Sequence, residues 1–596
     1  MKNSRLIQNN PFTVSTPEIL TAQDIVDLFV PYPEFSKLES SGHQFLDGHR
    51  GSGKSMMLRM LCPDCQSIVK SGIEKIQYFG VYIGIKKTNL NNPEYKRIEK
   101  EIGGTIIAES VLTVTVLISL FNSLSYYINS QKNFNEDLIT SFFNSCIKPN
   151  LVSSGYDEEL KINDNYSAHE QLVQIENIFN KVFLDTNTYI KKRAFSKEYH
   201  NFDGILLSFQ DNIIPIVSKI LELKIIPDDI PFYLLFDDAD NLSDQQTRVL
   251  NSWISYRSTN LISLKVSTQL RYKTYKTVSD IRIQSPHDFY KIEFTTNRTG
   301  SLGGDYSVFL EKIVNKRLAI AGIPTKAKDF FPDDINQEEK IAKIAQDFRD
   351  QFAENGKGYR AGDQAYREAR PQYIKQLVES RHGNDYKYAG FSQLTHISSG
   401  IVRSFLEPAA NMYAVQALLD SVVTTIPPSL QDKIIREEAD RLYKDLETLA
   451  YDDEEETDKN NFIKLKNLID GVGRVFYSHI IDDSSSQRRL NSFTVSGELS
   501  ENLKTILALG ESHGYFYTDT RGARSGFGRQ TRYVLTKRLA PMYKLDPNGY
   551  SGDKSLSSTI LEQLMLDPKA YESKLRKDGV IAVDSKNMQP SLFIGD

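Results

Sequence analysis

The residues best suited to chemistry in this sequence form a glycine-rich loop near the amino terminus. Residues 48–55 read GHRGSGKS and match the pattern G-x-x-x-x-G-K-[ST] in full. In such a loop, backbone N–H groups surround phosphates, the lysine places its charge on the outer phosphates, and the hydroxyl can ligate Mg²⁺. An apolar stretch before the loop and an amphipathic stretch after it predict the strand and helix that the loop requires. We therefore predict that ATP and Mg²⁺ bind at Gly48, Arg50, Gly51, Ser52, Gly53, Lys54 and Ser55.

A second acidic motif predicts the other half of such a site. The segment 231–242, PFYLLFDDADNL, is an apolar run that ends in Asp237 and Asp238. We expect Asp237 to hold the magnesium ion and Asp238 to activate the attacking water. The segment lies much further from the loop than the roughly 30 residues of one strand–helix–strand unit. A large, mostly helical insertion, from about 90 to 225, is therefore predicted between the two motifs, after a further strand at 76–85.

Two more strands and one helix complete the predicted core. Residues 260–272 form an apolar run that ends in polar Ser267, Thr268 and Gln269, and 288–294 predict a last strand. A polar side chain at such a strand end can reach the terminal phosphate or the attacking water. Further along, Arg403 stands near the start of a predicted helix that follows a glycine-containing turn.

These parts, in this order, resemble the AAA+ superfamily, and within it the origin-recognition-like clade and its STAND relatives. The resemblance is carried by 10–12 (NPF), 48–55, 234–240 (LLFDDAD), 264–269 (LKVSTQ) and 400–407 (GIVRSFLE). It implies an α/β P-loop ATPase core with a parallel sheet of AAA+ type, a large helical insertion, a helical lid and a C-terminal winged helix-turn-helix domain.

The resemblance also implies roles for individual residues. Thr268 and Gln269 are candidates for the sensor at the strand end, and Arg403 for the lid arginine that touches the phosphates. An arginine that completes a neighbour's site would be Arg282 or Arg271, although either is equally consistent with an ordinary surface arginine. Hydrolytic members usually carry Asp-Glu where this chain has two aspartates, and Asp238 is one methylene shorter than Glu. Slow hydrolysis is therefore expected.

The C-terminal part contains a concentration of arginines on a predicted hairpin. An acidic run at 451–461 indicates a linker, and the segment after it predicts a pair of helices. A strand, a helix and a hairpin follow, which is the order of a winged helix, and residues 539–552 predict a turn before a short helical tail. The hairpin carries Arg521, Arg524, Arg529 and Arg532, which suit phosphate contacts with DNA or RNA. A protein partner, or a simple soluble turn, remains open.

The composition limits the other classes of function. The chain has 596 residues and a formal net charge of −5, so nucleic-acid contact requires a local basic patch. Residues 105–128 are almost long enough to span a membrane, but a buried helix beside the sheet explains them more simply. No secretory signal is evident, and Cys62, Cys65 and Cys146 are the three cysteines. Cys62 and Cys65 are consistent with half a zinc site or a redox pair, or with a helix end; the cytoplasm is expected.

Four regions and two functions follow from these patterns. The predicted regions are an N-terminal strap (1–36), an ATPase core with its insertion (37–300), a helical lid (301–450) and a winged-helix domain with a tail (451–596). The leading hypothesis is a slowly hydrolysing ATPase that couples nucleotide state to homo-oligomer assembly and to nucleic-acid engagement. The alternative is a STAND-like signalling or scaffold ATPase of bacterial antiviral defence that acts with a separate effector protein, and no membrane attachment is expected in either.

Overall fold

The structure of the chain is a computed structural model that describes most of its residues. The described residues are 9–88, 90, 94–95, 103–132, 134–156, 159–195, 202, 204–227, 229–256, 261–269, 272–294, 305–354, 361–380, 385–452, 456–481, 489–522, 529–548 and 552–569.

The chain divides into two compact units, and one of them is assembled from both ends of the sequence. Residues 15–294 form the first unit, and Met1–Val14 join Thr295–Asp596 in the second. The predicted N-terminal strap, 1–36, is therefore shared between the two units. The boundaries predicted at 300 and 450 stay predictions of finer regions.

The first unit is built around a parallel sheet. Its strands are β1 (Gln44–Asp47), β2 (Phe79–Gly84), β3 (Phe232–Asp237), β4 (Ile262–Thr268) and β5 (Tyr290–Glu293). They lie in the order β2-β3-β4-β1-β5, and every neighbouring pair is parallel. Strands buried on both faces are expected to read as continuous apolar runs, as β3 does. The α/β core with helical parts, predicted from the sequence, is confirmed.

Helices surround this sheet, and several of them come from the segment between β2 and β3. They are α1 (Ala22–Leu28), α2 (Phe35–Leu38), α3 (Lys54–Arg59), α4 (Pro63–Val69), α5 (Gly104–Asn129), α6 (Asp137–Phe142), α7 (Lys148–Ser153), α8 (Ala168–Phe195), α9 (Ile214–Glu222) and α10 (Asp244–Tyr256). The described part of the predicted insertion is mainly helical.

The apolar segment near 105–128 is a core helix. It forms most of α5, which is the one helix among the described residues long and apolar enough to cross a membrane. In its most apolar stretch, 67% of the residues are buried inside the protein. Its single charge, Glu109, accepts hydrogen bonds from Trp253 Nε1 (3.1 Å) and the Phe209 backbone N–H (3.3 Å). The interior of the unit thus satisfies a carboxylate that a bilayer would leave unpaired.

The first residues of the chain pack into the second unit. Phe12 is fully buried, and its ring lies 5.6 Å from Phe330 and 5.4 Å from Phe331. Arg317 Nη1 donates to the backbone carbonyls of Pro11 and Thr13, each at 3.0 Å. A ring and a buried cation therefore anchor this segment, which explains why it does not group with the residues that follow it.

The second unit is mostly helical. Its helices are α11 (Asp305–Ile320), α12 (Ala327–Phe330), α13 (Ile335–Glu354), α14 (Ala361–Glu379), α15 (Phe391–Ile397), α16 (Val402–Gln416), α17 (Pro428–Asp452), α18 (Glu456–Ile481), α19 (Glu501–Ser512) and α20 (Ser558–Leu566). The acidic run at 451–461, predicted as a linker, is helical where it is described, since α17 ends and α18 begins within it.

A second sheet closes the C-terminal part. It contains β6 (Leu490–Ser496), β7 (Phe516–Gly522), β8 (Arg529–Leu535) and β9 (Gly552–Ser557) in the order β7-β8-β6-β9. β7 and β8 form the predicted antiparallel hairpin, and β8 pairs antiparallel with β6. β9 pairs parallel with β6, where the sequence predicted only a turn and a helical tail. Its residues, GDKSLS, lack the apolar alternation by which a strand is recognised.

One predicted helix pair is a single helix. Residues 462–480 lie within α18, which continues through Gly471 and Gly473 without a break. A Cβ atom at Gly471 would stand 2.6 Å from Leu564, and one at Gly473 would stand 2.6 Å from Tyr543. Glycine is needed here because neighbouring side chains approach the helix backbone closely, and the sequence pattern alone suggested a helix break.

Replacing Gly473 with alanine is therefore expected to destabilise the second unit. Overpacking of this kind costs about 1–3 kcal/mol, which outweighs the better helix propensity of alanine. Gly362 in α14 is the matched control, since a Cβ atom there would meet nothing within 4 Å. In denaturant unfolding of the full chain, the midpoint should be lower for Gly473→Ala than for the wild type and unchanged for Gly362→Ala. Equal midpoints for the two variants would contradict the close packing.

Candidate nucleotide-binding site

The order of the strands brings the two predicted motifs to one edge of the sheet. Asp47, the last residue of β1, is in register with Thr268 at the end of β4. Asp237, the last residue of β3, is in register with Gly84 at the end of β2. Because the strands are parallel, their carboxyl ends lie along the same edge, which is where ligands bind in open α/β sheets. β4 separates the loop strand from the Asp237 strand.

The glycine-rich loop has the backbone that its sequence predicts. Gly51 and Gly53 have φ angles of 87° and 101°, which side chains rarely tolerate, and α3 begins directly at Lys54. A Cβ atom at Gly48 would stand 2.8 Å from Cβ of Phe294. Ser52 is buried, whereas Arg50 is exposed. The loop thus follows β1 and leads into a helix whose amino-terminal N–H groups can receive an anion.

Lys54 is held at the centre of the loop. Its ammonium group donates to the backbone carbonyls of Gly48 at 2.7 Å and His49 at 3.0 Å, and the residue is 6% exposed. Burial lowers the pKa of Lys54, and the carboxylates of Asp237, Asp238, Asp240 and Asp47 oppose that shift. A buried cation with its donors on loop carbonyls is well placed to transfer them to phosphate oxygens.

Asp237 is the buried acid of the site and is surrounded by hydroxyl donors. Its carboxylate accepts from the Ser267 hydroxyl and from the Tyr82 hydroxyl (2.6 Å). The residue is 1% exposed. Burial and then the nearby Asp238 raise the pKa of Asp237, while the side chains of Ser267, Tyr82 and Ser55 oppose the shift. Ser55, predicted to hold Mg²⁺ together with Asp237, is thus close enough to act on its carboxyl group.

Asp238 differs from Asp237 in its backbone and in its partner. Its φ of 57° and ψ of 44° lie in the left-handed region, where Asp and Asn are enriched among non-glycine residues. This conformation gives a physical reason for aspartate at the position where hydrolytic AAA+ proteins usually carry glutamate. Its Oδ2 lies 2.8 Å from Lys86 Nζ, in the turn that follows β2. Lys86 was not identified from the sequence.

The polar end of β4 lies between the loop and Asp237. Ser267, one of the three polar residues predicted at this strand end, donates its hydroxyl to Asp237 and accepts from the Asp238 backbone N–H at 3.0 Å. Thr268 is fully buried and donates its hydroxyl to the Gln269 carbonyl. The Gln269 amide donates to Asp240 Oδ2 at 3.0 Å. Of the two predicted sensor residues, Gln269 is therefore the one whose side chain hydrogen-bonds to the acidic motif.

The predicted arginines lie in different places. Arg282 is exposed on the first unit, with its guanidinium 5.9 Å from the centre of the Tyr275 ring. Arg271 lies outside the described residues. Arg403 belongs to the second unit, where it is the second residue of α16 and its Nε lies 4.0 Å from Glu407. The roles predicted for these arginines stay predictions.

The arginines of the C-terminal hairpin are not equivalent. Arg529 is exposed at the start of β8. Arg532 is 5% exposed, and its Nε donates to Asp519 Oδ1 on the neighbouring strand at 2.8 Å. Arg532 therefore stabilises the hairpin by a buried contact between its two strands. A side chain in this position does not suit the phosphate contact predicted for it. Arg524 and the side chain of Arg521 lie outside the described residues.

The cysteine pair lies near the loop helix and belongs to no metal-binding group among the described residues. Cys62 and Cys65 are buried free thiols on either side of Pro63, the first residue of α4. Burial raises the pKa of Cys62 to about 12 and also raises that of Cys65, so both thiols stay protonated at neutral pH. The part of the chain that the structure describes contains no group of three or more His, Cys, Asp or Glu side chains placed to hold a metal ion. The motif marks a helix boundary.

The donor set fits a nucleotide with its magnesium ion. The Ser52 hydroxyl is buried and has no hydrogen-bond partner among the described residues, so it suits a phosphate oxygen. Lys54 and the start of α3 supply the positive field, and Ser55 with Asp237 supplies the oxygen ligands that Mg²⁺ prefers. The arrangement can bind phosphates, hold a cation and present Asp238 to water.

Comparison with known proteins assigns the family. The model of the ORC-CDC6-like family matches residues 10–362 and 349–556, which is most of the chain. Among the curated proteins, the sequence has no significant match.

Two solved structures are similar in fold only weakly. Cdc6p from Pyrobaculum aerophilum is 11% identical, with 95% of this chain and 99% of that chain covered and a TM-score of 0.26. The Orc1 protein of Aeropyrum pernix, solved in complex with DNA, is 9% identical, with 88% and 93% covered and a TM-score of 0.25. These scores support no residue-by-residue correspondence. The extent of the family match is decisive: the chain belongs to the ORC-CDC6-like family and is an origin-recognition-like AAA+ protein.

Proposed function

We propose that this protein binds ATP with Mg²⁺, hydrolyses it slowly, and uses the nucleotide state to control self-assembly and the engagement of nucleic acid. The observation that carries the proposal is that the end of β4 contacts both halves of the site. The Thr268 carbonyl accepts from the Gly48 backbone N–H of the loop at 3.3 Å, and the hydroxyl of the preceding Ser267 donates to Asp237. Membership of the ORC-CDC6-like family supports both the nucleotide and the nucleic acid.

Each residue of the site would have a distinct task. Lys54 and the loop N–H groups would bind the phosphates, and Ser55 and Asp237 would hold Mg²⁺, with Asp237 acting through water. The bound ion would offset the negative charge of the phosphates. Asp238 would accept the proton of the attacking water, because it is less buried than Asp237 and does not accept from the Tyr82 and Ser267 hydroxyl groups.

The pairing of Asp238 with Lys86 supports slow hydrolysis. The ion pair holds one oxygen of the Asp238 carboxylate 2.8 Å from Lys86 Nζ and so restrains its orientation toward the attacking water. Both partners are partly exposed, at 40% for Lys86 and 21% for Asp238, so the pair contributes only about 0–1 kcal/mol. Such a pair restrains the Asp238 carboxylate without preventing its contact with water. The slow hydrolysis that results suits a protein that uses ATP as a switch better than one that uses it as a motor.

Assembly and nucleic-acid engagement depend on surfaces away from the phosphates. The exposed Arg282 would complete the site of a neighbouring copy, as the resemblance to AAA+ proteins implies. β6, α19 and the β7–β8 hairpin follow one another in the order of a winged helix, and Arg529 is exposed on its wing. We infer that this winged helix engages DNA or RNA through Arg521, Arg524 and Arg529. A cytoplasmic location is part of the proposal.

Two variants should separate binding from hydrolysis. Lys54→Ala removes the central cation, and we expect its ATP affinity to fall at least about tenfold, since a charge-assisted contact contributes about 1.5–3 kcal/mol. Asp238→Asn keeps a residue that tolerates the left-handed backbone, so it should bind ATP normally and lose turnover. Calorimetry and phosphate release measure the two properties. Wild-type ATP affinity in Lys54→Ala would refute the assigned site.

Releasing Asp238 should accelerate hydrolysis. We expect Lys86→Met to raise the turnover number, by up to about fivefold if the pair is worth 1 kcal/mol. Lys75→Met, which removes an exposed lysine before β2, is the matched control and should leave turnover unchanged. Lower turnover in Lys86→Met than in the control would show that Lys86 assists the reaction instead of restraining it.

The hairpin arginines should govern nucleic-acid affinity and its dependence on salt. We expect replacement of Arg521, Arg524 and Arg529 by alanine to weaken duplex binding and to reduce the slope of log K against log[salt] by about 0.9 per lost phosphate contact. The control replaces three exposed cations of α17, Lys433, Arg441 and Lys444. Fluorescence anisotropy at several salt concentrations measures both quantities. Equal losses in the two triple variants would point to net charge and contradict a local interface.

A further inference from the structure

Asp240, the third acid of the DDAD sequence, has no role in the function proposed above. The left-handed backbone at Asp238 turns the chain into a short 3₁₀ segment, Ala239–Asn241. The Asn241 backbone N–H and side-chain amide both donate to the Asp238 carbonyl, at 3.0 Å and 2.9 Å, and fix this turn. Asp240 is thereby placed opposite Gln269, whose Nε2 donates to its Oδ2 at 3.0 Å.

This hydrogen bond determines which way round the Gln269 amide lies. A glutamine amide presents two donors on nitrogen and an acceptor on oxygen, and the two ends have nearly the same shape. An ionised carboxylate only accepts hydrogen bonds, so Asp240 selects the orientation in which the amide nitrogen faces it. The same contact also fixes the direction of the second N–H of that nitrogen, which can donate to another acceptor.

Gln269 lies at the edge of the sheet where phosphates would bind. It follows Thr268, whose carbonyl accepts from the Gly48 backbone N–H at 3.3 Å, so one residue separates it from a direct contact with the loop. The charge of Asp240 is also among those that act on the buried ammonium of Lys54. Both observations place the pair of Asp240 and Gln269 beside the phosphate loop.

Asp240 has a second oxygen that the protein does not use. Its Oδ1 is buried and has no hydrogen-bond partner among the described residues. A buried acceptor without a donor is unfavourable, and a donor that arrives with a ligand, such as a bound water, would satisfy it. One oxygen of the Asp240 carboxylate therefore accepts from Gln269, and the other can accept a hydrogen bond from a ligand in the site.

We propose that Asp240 is a positioning residue that orients the Gln269 amide so that its free N–H donates to the terminal phosphate of bound ATP. The inference rests on the proposed function, since it concerns the same site. It goes beyond that function by assigning the third acid of the motif and by predicting discrimination between ATP and ADP. Asp240 itself need not touch the nucleotide.

The test compares the affinities for ATP and ADP, together with turnover, in a set of full-length variants. Gln269→Ala and Asp240→Ala should each lower ATP affinity about tenfold, while ADP affinity changes less than about twofold, because only ATP has the terminal phosphate. The double variant should be no worse than either single variant, since both remove the same interaction. Asp240→Asn, whose side-chain oxygen can still accept from Gln269, should recover part of the loss.

The control for these variants is a substitution of Asp244. Asp244→Asn removes an exposed carboxylate at the start of α10 and should leave the ATP-to-ADP affinity ratio unchanged. Additive losses in the double variant, or an Asp240→Asn variant as impaired as Asp240→Ala, would overturn the orienting role and assign the effect to charge. A wild-type ratio in Asp240→Ala would also overturn it. Failure of the wild-type protein to bind ATP would refute the proposed function, and this inference with it.

Discussion

The site depends on one buried carboxylate at the end of a central strand. Asp237 has almost no contact with solvent, and a bare charge in such a place would be strongly unfavourable. Hydroxyl groups from two neighbouring strands compensate it: Tyr82 on β2 and Ser267 on β4. Because these donors come from neighbouring elements, the carboxylate can be accommodated only when the parallel sheet has formed in its observed order.

The same constraint connects the fold to the chemistry. The order β2-β3-β4-β1-β5 places β4 between the loop strand and the acidic strand, so polar residues at its end necessarily lie between the two motifs. Ser267 supports Asp237 from there, and Gln269 contacts Asp240. On the other side, β2 brings Lys86 to Asp238. The edge of the sheet thus brings a partner to each of the three acids of the motif: Ser267 to Asp237, Lys86 to Asp238 and Gln269 to Asp240.

Much of the core could be predicted because its signals are local. The loop is recognisable from glycine, lysine and serine at fixed spacing, and β3 is a continuous apolar run that ends in an acidic residue. Pairing across the sheet has no such signal. Lys86 is an unremarkable surface lysine until β2 is known to neighbour β3, and Asp240 acquires a partner only because Asp238 adopts a left-handed backbone. The sequence of α18 likewise suggested a helix break. The close packing that requires its glycines is a tertiary property and has no local signal.

A structure of the full chain with a non-hydrolysable ATP analogue and Mg²⁺ tests the central claim most directly. We expect the Lys54 ammonium to leave the Gly48 and His49 carbonyls for the outer phosphates. We also expect Ser55 to ligate the ion and Asp237 to reach it through water. A nucleotide bound elsewhere, or Lys54 still on the loop carbonyls with the phosphates in place, would show that the site is wrongly assigned.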